Sequence, residues 1–228
     1  TKSLAARAKQ VVSLEIDRTL IPILNVTLEN CPNVRVICGD VMRTDLPSLI
    51  NEAFGETCPS IRVAANLPYY ITTEVLTKLM RELPQAKSIA VMIQKEVGDK
   101  LLSRPGEDGY GPLAVLCQYH YHVVRALDVP AACFNPPPKV DSSFMVLERL
   151  EQPSADAGDE AVFTRLVRGA FAMRRKTLLN NLVSGFSLSR EQATACLESS
   201  GLSLQARAEE LSLADFARLS KQLQALPR

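Results

Sequence analysis

Short apolar runs that each break off at a polar or acidic residue recur through the first 150 positions, separated by stretches of helical spacing. Residues 11–17, 34–40, 61–66 and 88–93 have the β-branched, apolar character of strands. Residues 18–28, 46–54, 73–83, 95–103 and 111–118 place apolar side chains at helical intervals. This alternation commits the chain to an α/β sheet, because parallel strands need long crossovers and helices supply them. The last pair of strands breaks the rhythm. Residues 121–129 and 141–150 are joined by Pro130-Ala131-Ala132-Cys133-Phe134-Asn135-Pro136-Pro137-Pro138-Lys139, which is too rich in proline for a helix. A short non-helical connector predicts an antiparallel hairpin at one edge of a mainly parallel, doubly wound sheet. At the other end, residues 1–8 have helical character and run directly into the first strand.

Gln152-Pro153-Ser154-Ala155-Asp156-Ala157-Gly158-Asp159 reads as a linker. Beyond it the pattern is helical, with apolar spacing such as Phe163, Leu166, Val167, Ala170 and Phe171. Helix starts are expected at Ser189-Arg190-Glu191-Gln192 and Ser212-Leu213-Ala214-Asp215, where a serine precedes a residue able to reach back to it. The expected organisation is an α/β domain over 1–150 and a small all-α domain over 151–228. No apolar run approaches the roughly 20 residues that cross a bilayer, and no signal segment opens the chain, so no membrane association and a cytoplasmic location are expected. Cys31, Cys38, Cys58, Cys117, Cys133 and Cys196 are scattered without a C-x-x-C pair, and reduced thiols rather than a zinc site are expected. His120 and His122 would share one face of a strand, without the partners a metal needs. The net charge is only +1, with 16 basic and 16 acidic residues before position 150 and 10 and 9 after it. Any affinity for nucleic acid must therefore come from local clustering.

Two constellations carry chemistry. Ligands of doubly wound sheets bind at the carboxyl ends of strands. Glu15 or its neighbour Asp17 on the first strand, and Asp40 in Cys38-Gly39-Asp40-Val41 on the second, are placed to accept hydrogen bonds from ribose hydroxyls and from an adenine amino group. Solvated or capping carboxylates are the competing reading. The second constellation is Asn66-Leu67-Pro68-Tyr69-Tyr70. The Asn66 side-chain oxygen and the Leu67 carbonyl would accept both hydrogens of an exocyclic adenine amine and turn its lone pair toward an electrophile. Pro68 stiffens the loop, and Tyr69 offers a stacking face for a base drawn out of its helix. A plain strand-end turn with two core tyrosines is the alternative. Phe134, held by the proline segment, would cover the opposite side of the base, and Lys139 would meet a phosphate. Arg174-Arg175-Lys176, read as a ridge on an otherwise apolar helix over 171–182, suits RNA phosphates. Gln94-Lys95-Glu96 and Arg104-Pro105-Gly106 are further polar punctuation beside the cleft.

Taken in order, Glu15, Asp40, Asn66-Leu67-Pro68-Tyr69-Tyr70, Gln94-Lys95-Glu96, Pro136-Pro137-Pro138-Lys139-Val140-Asp141-Ser142-Ser143 and Arg174-Arg175-Lys176-Thr177 closely resemble the ribosomal RNA adenine dimethylases, across essentially the whole chain. The resemblance is strongest to the branch acting on small-subunit (16S) rRNA. It implies the class I, Rossmann-like methyltransferase fold with S-adenosylmethionine as methyl donor and no metal. It implies two methyl groups on each of two adjacent adenines near the 3′ end of 16S rRNA, placed by a monomer late in assembly of the small ribosomal subunit. It also assigns roles: Glu15 to the cofactor's ribose, Asp40 to its adenine, Asn66 and Leu67 to the target amine, and Tyr69 and Phe134 to the target base. The family's Gly-rich loop would precede Glu15 by about twenty residues, and the chain is expected to lack it together with the first strand and a basic N-terminal segment. Alternatives are the branch that dimethylates 23S rRNA and confers macrolide resistance, a non-catalytic binding relative, and a small-molecule methyltransferase. The Arg174–Asn181 and Pro136–Ser143 wording speaks against the first, the helical C-terminal domain with its basic ridge against the last, and Asn66 and Tyr69 against lost chemistry.

Overall fold

Two clusters of contacts organise the structure, a computed structural model that describes residues 1–55 and 60–226. One unit comprises Thr1–Ile61 and Tyr70–Ala86; the other comprises Arg62–Tyr69 and the chain from Lys87 onward. Cys58 lies outside the described residues, and the remaining five cysteines form no disulfide with one another.

The first unit contains α1 (Lys2–Ala5), β1 (Val11–Glu15), α2 (Ile21–Thr27), β2 (Val34–Cys38), α3 (Leu46–Phe54) and α4 (Thr72–Glu82). β1 and β2 pair in parallel, with Val11 opposite Val34 and Glu15 opposite Cys38. The Gly39 N–H extends the ladder to the Glu15 carbonyl at 2.8 Å. A side chain is unwelcome there, since a Cβ on Gly39 would crowd Leu14 Cδ1 at 3.0 Å. Both strands stop two residues earlier than expected because the acids beyond them make turns. Asp17 accepts from the Thr19 N–H at 2.8 Å and from its hydroxyl at 2.7 Å, which also delays α2 to Ile21. Asp40 accepts from the Met42 N–H at 2.8 Å. The shortened α1 meets its orphan carbonyls in the Asn33 amide, which donates to Ala5 and Ala8 at 2.9 Å. α3 keeps its expected bounds: Asp45 caps it by accepting from the Ser48 N–H at 3.0 Å, Pro47 stands in its first turn, and Gly55 ends it at φ 78°.

In the second unit β3 (Ile61–Asn66), β4 (Ala86–Gln94), β5 (Tyr121–Val129) and β6 (Ser142–Arg149) form one sheet in the order β3-β4-β6-β5. β6 runs antiparallel to both neighbours, with Gln94 opposite Ser142 and Tyr121 opposite Arg149. The expected hairpin is present, with β5 at the edge and a bulge between Arg125 and Leu127. α5 (Lys95–Leu102) and α6 (Pro112–His120) lie between β4 and β5 in sequence. His120 therefore closes α6 and does not share a strand face with His122. It sits 3.3 Å from Glu160 instead.

α7 (Glu160–Ala170), α8 (Leu178–Phe186), α9 (Arg190–Ser199) and α10 (Leu213–Gln224) complete the unit. Ser189 with Gln192, and Ser212 with Asp215, form full capping boxes at the two expected starts. Phe163, Leu166, Leu178, Leu182 and Phe216 are fully buried in a core that also takes in Tyr110, Val115 and Tyr119. Tyr119 stacks on Phe163 at 4.1 Å, and the Tyr110 hydroxyl donates to the Leu211 carbonyl at 2.9 Å. Burial, with the Asp215 charge adding to it, pushes the Tyr110 phenol up to about 12, and burial alone does the same for the Cys117 thiol.

The linker is irregular in backbone but held in place. Lys221 pairs with Asp156 at 2.5 Å, and the Gln224 amide both donates to the Ala157 carbonyl at 2.8 Å and accepts from the Asp159 N–H at 2.9 Å. The expected continuous helix over 171–182 is replaced by a turn between α7 and α8, and Arg174, Arg175 and Lys176 lie in that turn. The cause is Asn181. Buried on α8, it donates to the carbonyls of Ala170 and Met173 at 2.8 and 3.3 Å and accepts from the Met173 N–H at 3.1 Å. It thus satisfies backbone groups that a continuing helix would have bonded to itself.

Candidate functional site

In the first unit, Glu15 and Asp40 stand at the carboxyl ends of a parallel strand pair, one residue closing β1 and the other two places past β2. The structure separates Glu15 from its rival. Asp17 is engaged twice by Thr19, and those bonds, the hydroxyl's foremost, hold its carboxyl below the usual range. Among the described residues Glu15 commits only Oε1, to the Asp17 N–H at 2.8 Å. Asp40 commits Oδ1 to Met42, with the Arg43 guanidinium 3.7 Å from Oδ2. Ile16, directly after Glu15, is 64% exposed. Sequence reasoning passed over it; an apolar residue lodged between two acids at a strand end was the available signal.

In the second unit, Asn66 closes β3, is exposed, and has no side-chain hydrogen-bond partner among the described residues. Leu67 is buried and its N–H donates to the Met92 carbonyl of β4 at 3.1 Å, which fixes the peptide that follows the strand. Tyr69 is half-buried at the start of a short 3-10 turn, and its hydroxyl lies 2.7 Å from that of Ser142, which is fully buried on β6. Tyr70, the second tyrosine of the motif, is 84% exposed, so the pair is not a pair of core residues.

The serines and aspartate after the proline run acquire functions that the sequence did not disclose. The Asp141 carboxylate accepts from the Ala131 N–H at 2.9 Å, and its carbonyl accepts from the Lys95 N–H at 3.0 Å, so it braces both ends of the connector. Ser142 fixes Tyr69. Ser143 donates to Asp128 at 2.6 Å, and this bond above all, helped by Lys95 and Arg125, holds the Asp128 carboxyl below the usual range. Phe134 is half-buried just after the 3-10 turn Ala131–Cys133 and makes no ring contact with Tyr69 among the described residues. Lys139 is exposed in the same connector. Arg174, Arg175 and Lys176 are all exposed, and from residue 161 to 190 the chain carries six basic residues and no acidic one.

A parallel strand pair with acids at its carboxyl end, a terminal antiparallel hairpin, and an Asn-Leu-Pro-Tyr loop closing a strand define a Rossmann-like methyltransferase. A family model described as ribosomal RNA adenine dimethylase matches residues 1–225. The chain is 44% identical to a ribosomal RNA small subunit methyltransferase A of Macrococcus caseolyticus, over all of this chain and 77% of that protein. It is 43% identical to the protein of the same name from Bacillus cereus (98% and 77% covered) and 42% identical to that from Geobacillus thermodenitrificans (100% and 78%). Among solved structures, a dimethyladenosine transferase from Plasmodium falciparum superposes with a TM-score of 0.75 at 25% identity, covering 95% of this chain and 82% of that one. The 23S rRNA methyltransferase ErmE shares the fold at a TM-score of 0.68 and 24% identity, with 98% and 85% covered. The chain belongs to the ribosomal RNA adenine dimethylase family.

No helix among the described residues is long and apolar enough to cross a membrane.

Proposed function

We propose that the protein transfers methyl groups from S-adenosylmethionine to the 6-amino groups of two adjacent adenines near the 3′ end of 16S rRNA, late in small-subunit assembly. The observation that carries this reading is the loop at the end of β3. Asn66 there is uncommitted, the Leu67 peptide is fixed by β4, and Tyr69 is pinned by Ser142. The 42–44% identity to proteins named for the small subunit chooses the RNA.

When bound, S-adenosylmethionine supplies a methyl group on a sulfonium, electrophilic enough that alignment carries the catalysis. The residues present fit it. Glu15 has an oxygen to spare for ribose hydroxyls, Ile16 presents an apolar face to an adenine ring, and Asp40 accepts from that ring's amino group. Asn66 Oδ1 and the Leu67 carbonyl accept the two hydrogens of the target amine. That breaks the delocalisation of its lone pair into the ring and makes it nucleophilic. Pro68 keeps the two acceptors in register, and Tyr69 stacks on the flipped base with Phe134 on its other side. Each transfer forms an N–C bond, breaks the S–C bond and releases the amine proton to water. Lys139 and the turn of Arg174, Arg175 and Lys176 hold phosphates. Residues 1–150 perform the chemistry and 151–228 the RNA binding, in a monomer acting in the cytoplasm.

Labelled S-adenosylmethionine, the protein and small subunits lacking the modification, with large subunits in parallel, test this directly. Nucleoside analysis should place labelled dimethyladenosine in the small-subunit RNA. Label confined to large-subunit RNA would move the protein to the other branch, and no dimethyladenosine in either would refute the reading.

A further inference from the structure

A cavity of about 420 Å³ opens at the end of β4, lined by Gln94, Lys95, Glu96, Asp99, Lys139 and Asp141, with Val140 also in its wall. Its volume is within the range of small-ligand sites. It adjoins the machinery already described, because Gln94 pairs in register with Ser142, the residue that pins Tyr69. Most of its charges are already tied. Glu96 pairs with Lys100 at 2.6 Å, Lys95 with Asp128 at 3.4 Å, Asp99 with Arg125, and Asp141 holds the Ala131 N–H. Two polar side chains are left without a partner among the described residues: the amide of Gln94 and the ammonium of Lys139.

An amide with an adjacent donor and acceptor, and a cation free to meet an anion, are what a nucleotide requires. A glutamine amide matches the donor–acceptor edge of adenine in a bidentate pair, and lysine meets phosphate as a point charge. We propose that this cavity is a second nucleotide subsite, which holds the unmodified adenine next to the one being methylated, with Gln94 on its base edge and Lys139 on its phosphate. The proposal rests on the reading of the protein as an rRNA adenine dimethylase. It also has a consequence for order. Dimethylation removes both hydrogens from N6, so a modified neighbour no longer donates to Gln94, and the subsite favours a fresh neighbour over a finished one.

Small subunits reconstituted with 16S rRNA carrying the target adenine, with adenine, dimethyladenine, uracil or no base at the neighbouring position, test the subsite by steady-state methyl transfer. The natural RNA should show a KM about tenfold below the other three, with kcat for the target little changed. Gln94→Ala should erase that preference by raising KM for the natural RNA alone, and Lys139→Ala should raise KM equally for all four. Equal KM values across the RNAs with the unmodified protein, alongside measurable methylation, would overturn the subsite and leave the enzyme reading intact. So would a Gln94→Ala loss shared equally by the abasic RNA. Failure to methylate any of the four would overturn the enzyme reading itself, and the subsite with it.

Discussion

Asn66 closes β3 with an uncommitted amide, whereas Tyr69 three residues on is tied to a serine 73 positions away. The two therefore predict different losses. Asn66→Ala removes an acceptor that acts on the reacting amine, so turnover should fall by two to three orders of magnitude while binding to small subunits is retained. Unchanged turnover would remove Asn66 from the chemistry. Ser142→Ala and Tyr69→Phe each break the same hydroxyl pair, worth about 1 kcal/mol. Each should slow methylation several-fold, and the double variant should be no slower than the slower single one. Additive losses in that cycle would show that the two hydroxyls act separately. Of these residues, Asn66, Leu67, Pro68 and Tyr69 were legible in the sequence because they are contiguous and chemically distinctive. Ser142 was not, because its partner comes from a distant element that only the folded sheet brings to it.

At the scale of elements, the same division between local and distant causes holds. The capping boxes at Ser189 and Ser212 are made by residues three apart, and both are readable from sequence. Arg174, Arg175 and Lys176 look helical because apolar spacing runs through Phe171 and Leu178, yet Asn181 on the following helix takes the backbone groups that would have continued α7. Asn181→Ala should thus do more than delete a polar side chain. It leaves the Ala170 carbonyl and the Met173 amide without their partner, at a cost of about 1–3 kcal/mol. Thermal melting should register the loss, and RNA affinity should fall with it, because the basic turn loses its brace. A variant that melts as the parent does would show that the turn holds its shape unaided.

For the whole molecule, the near-neutral charge makes its two electrostatic predictions sharp. Neutralising Arg174, Arg175 and Lys176 together should weaken RNA binding and flatten the slope of log affinity against log salt by about 2, at roughly 0.7 per phosphate contact. An unaltered slope would return these cations to a solvated turn. Stability against pH should show a plateau with two shoulders. Burial depresses the pKa of His120, with the Glu160 carboxylate opposing and Arg149 adding to the effect. Protonation therefore favours the unfolded chain, and stability falls as pH drops below the ordinary value of 6.5. Cys117 and Tyr110 hold their protons up to about 12 against ordinary values of 9.0 and 10.0, so stability falls as pH rises above about 9. Denaturant titrations of Cys117→Ala and Tyr110→Phe should each show a shallower alkaline shoulder than the parent; an identical shoulder would place its origin elsewhere. The clasp on the linker adds a consequence for biosynthesis. Asp159 and Gln224 are 65 residues apart, and at about 5–20 residues per second a ribosome needs about 3–13 seconds to deliver the second after the first. Through that interval Ser154, which donates to the Tyr119 and Gln118 carbonyls, already ties down the start of the linker. Asp156 and Asp159 wait for their partners, so on each translating ribosome this end of the linker stays open to proteases and chaperones until α10 emerges.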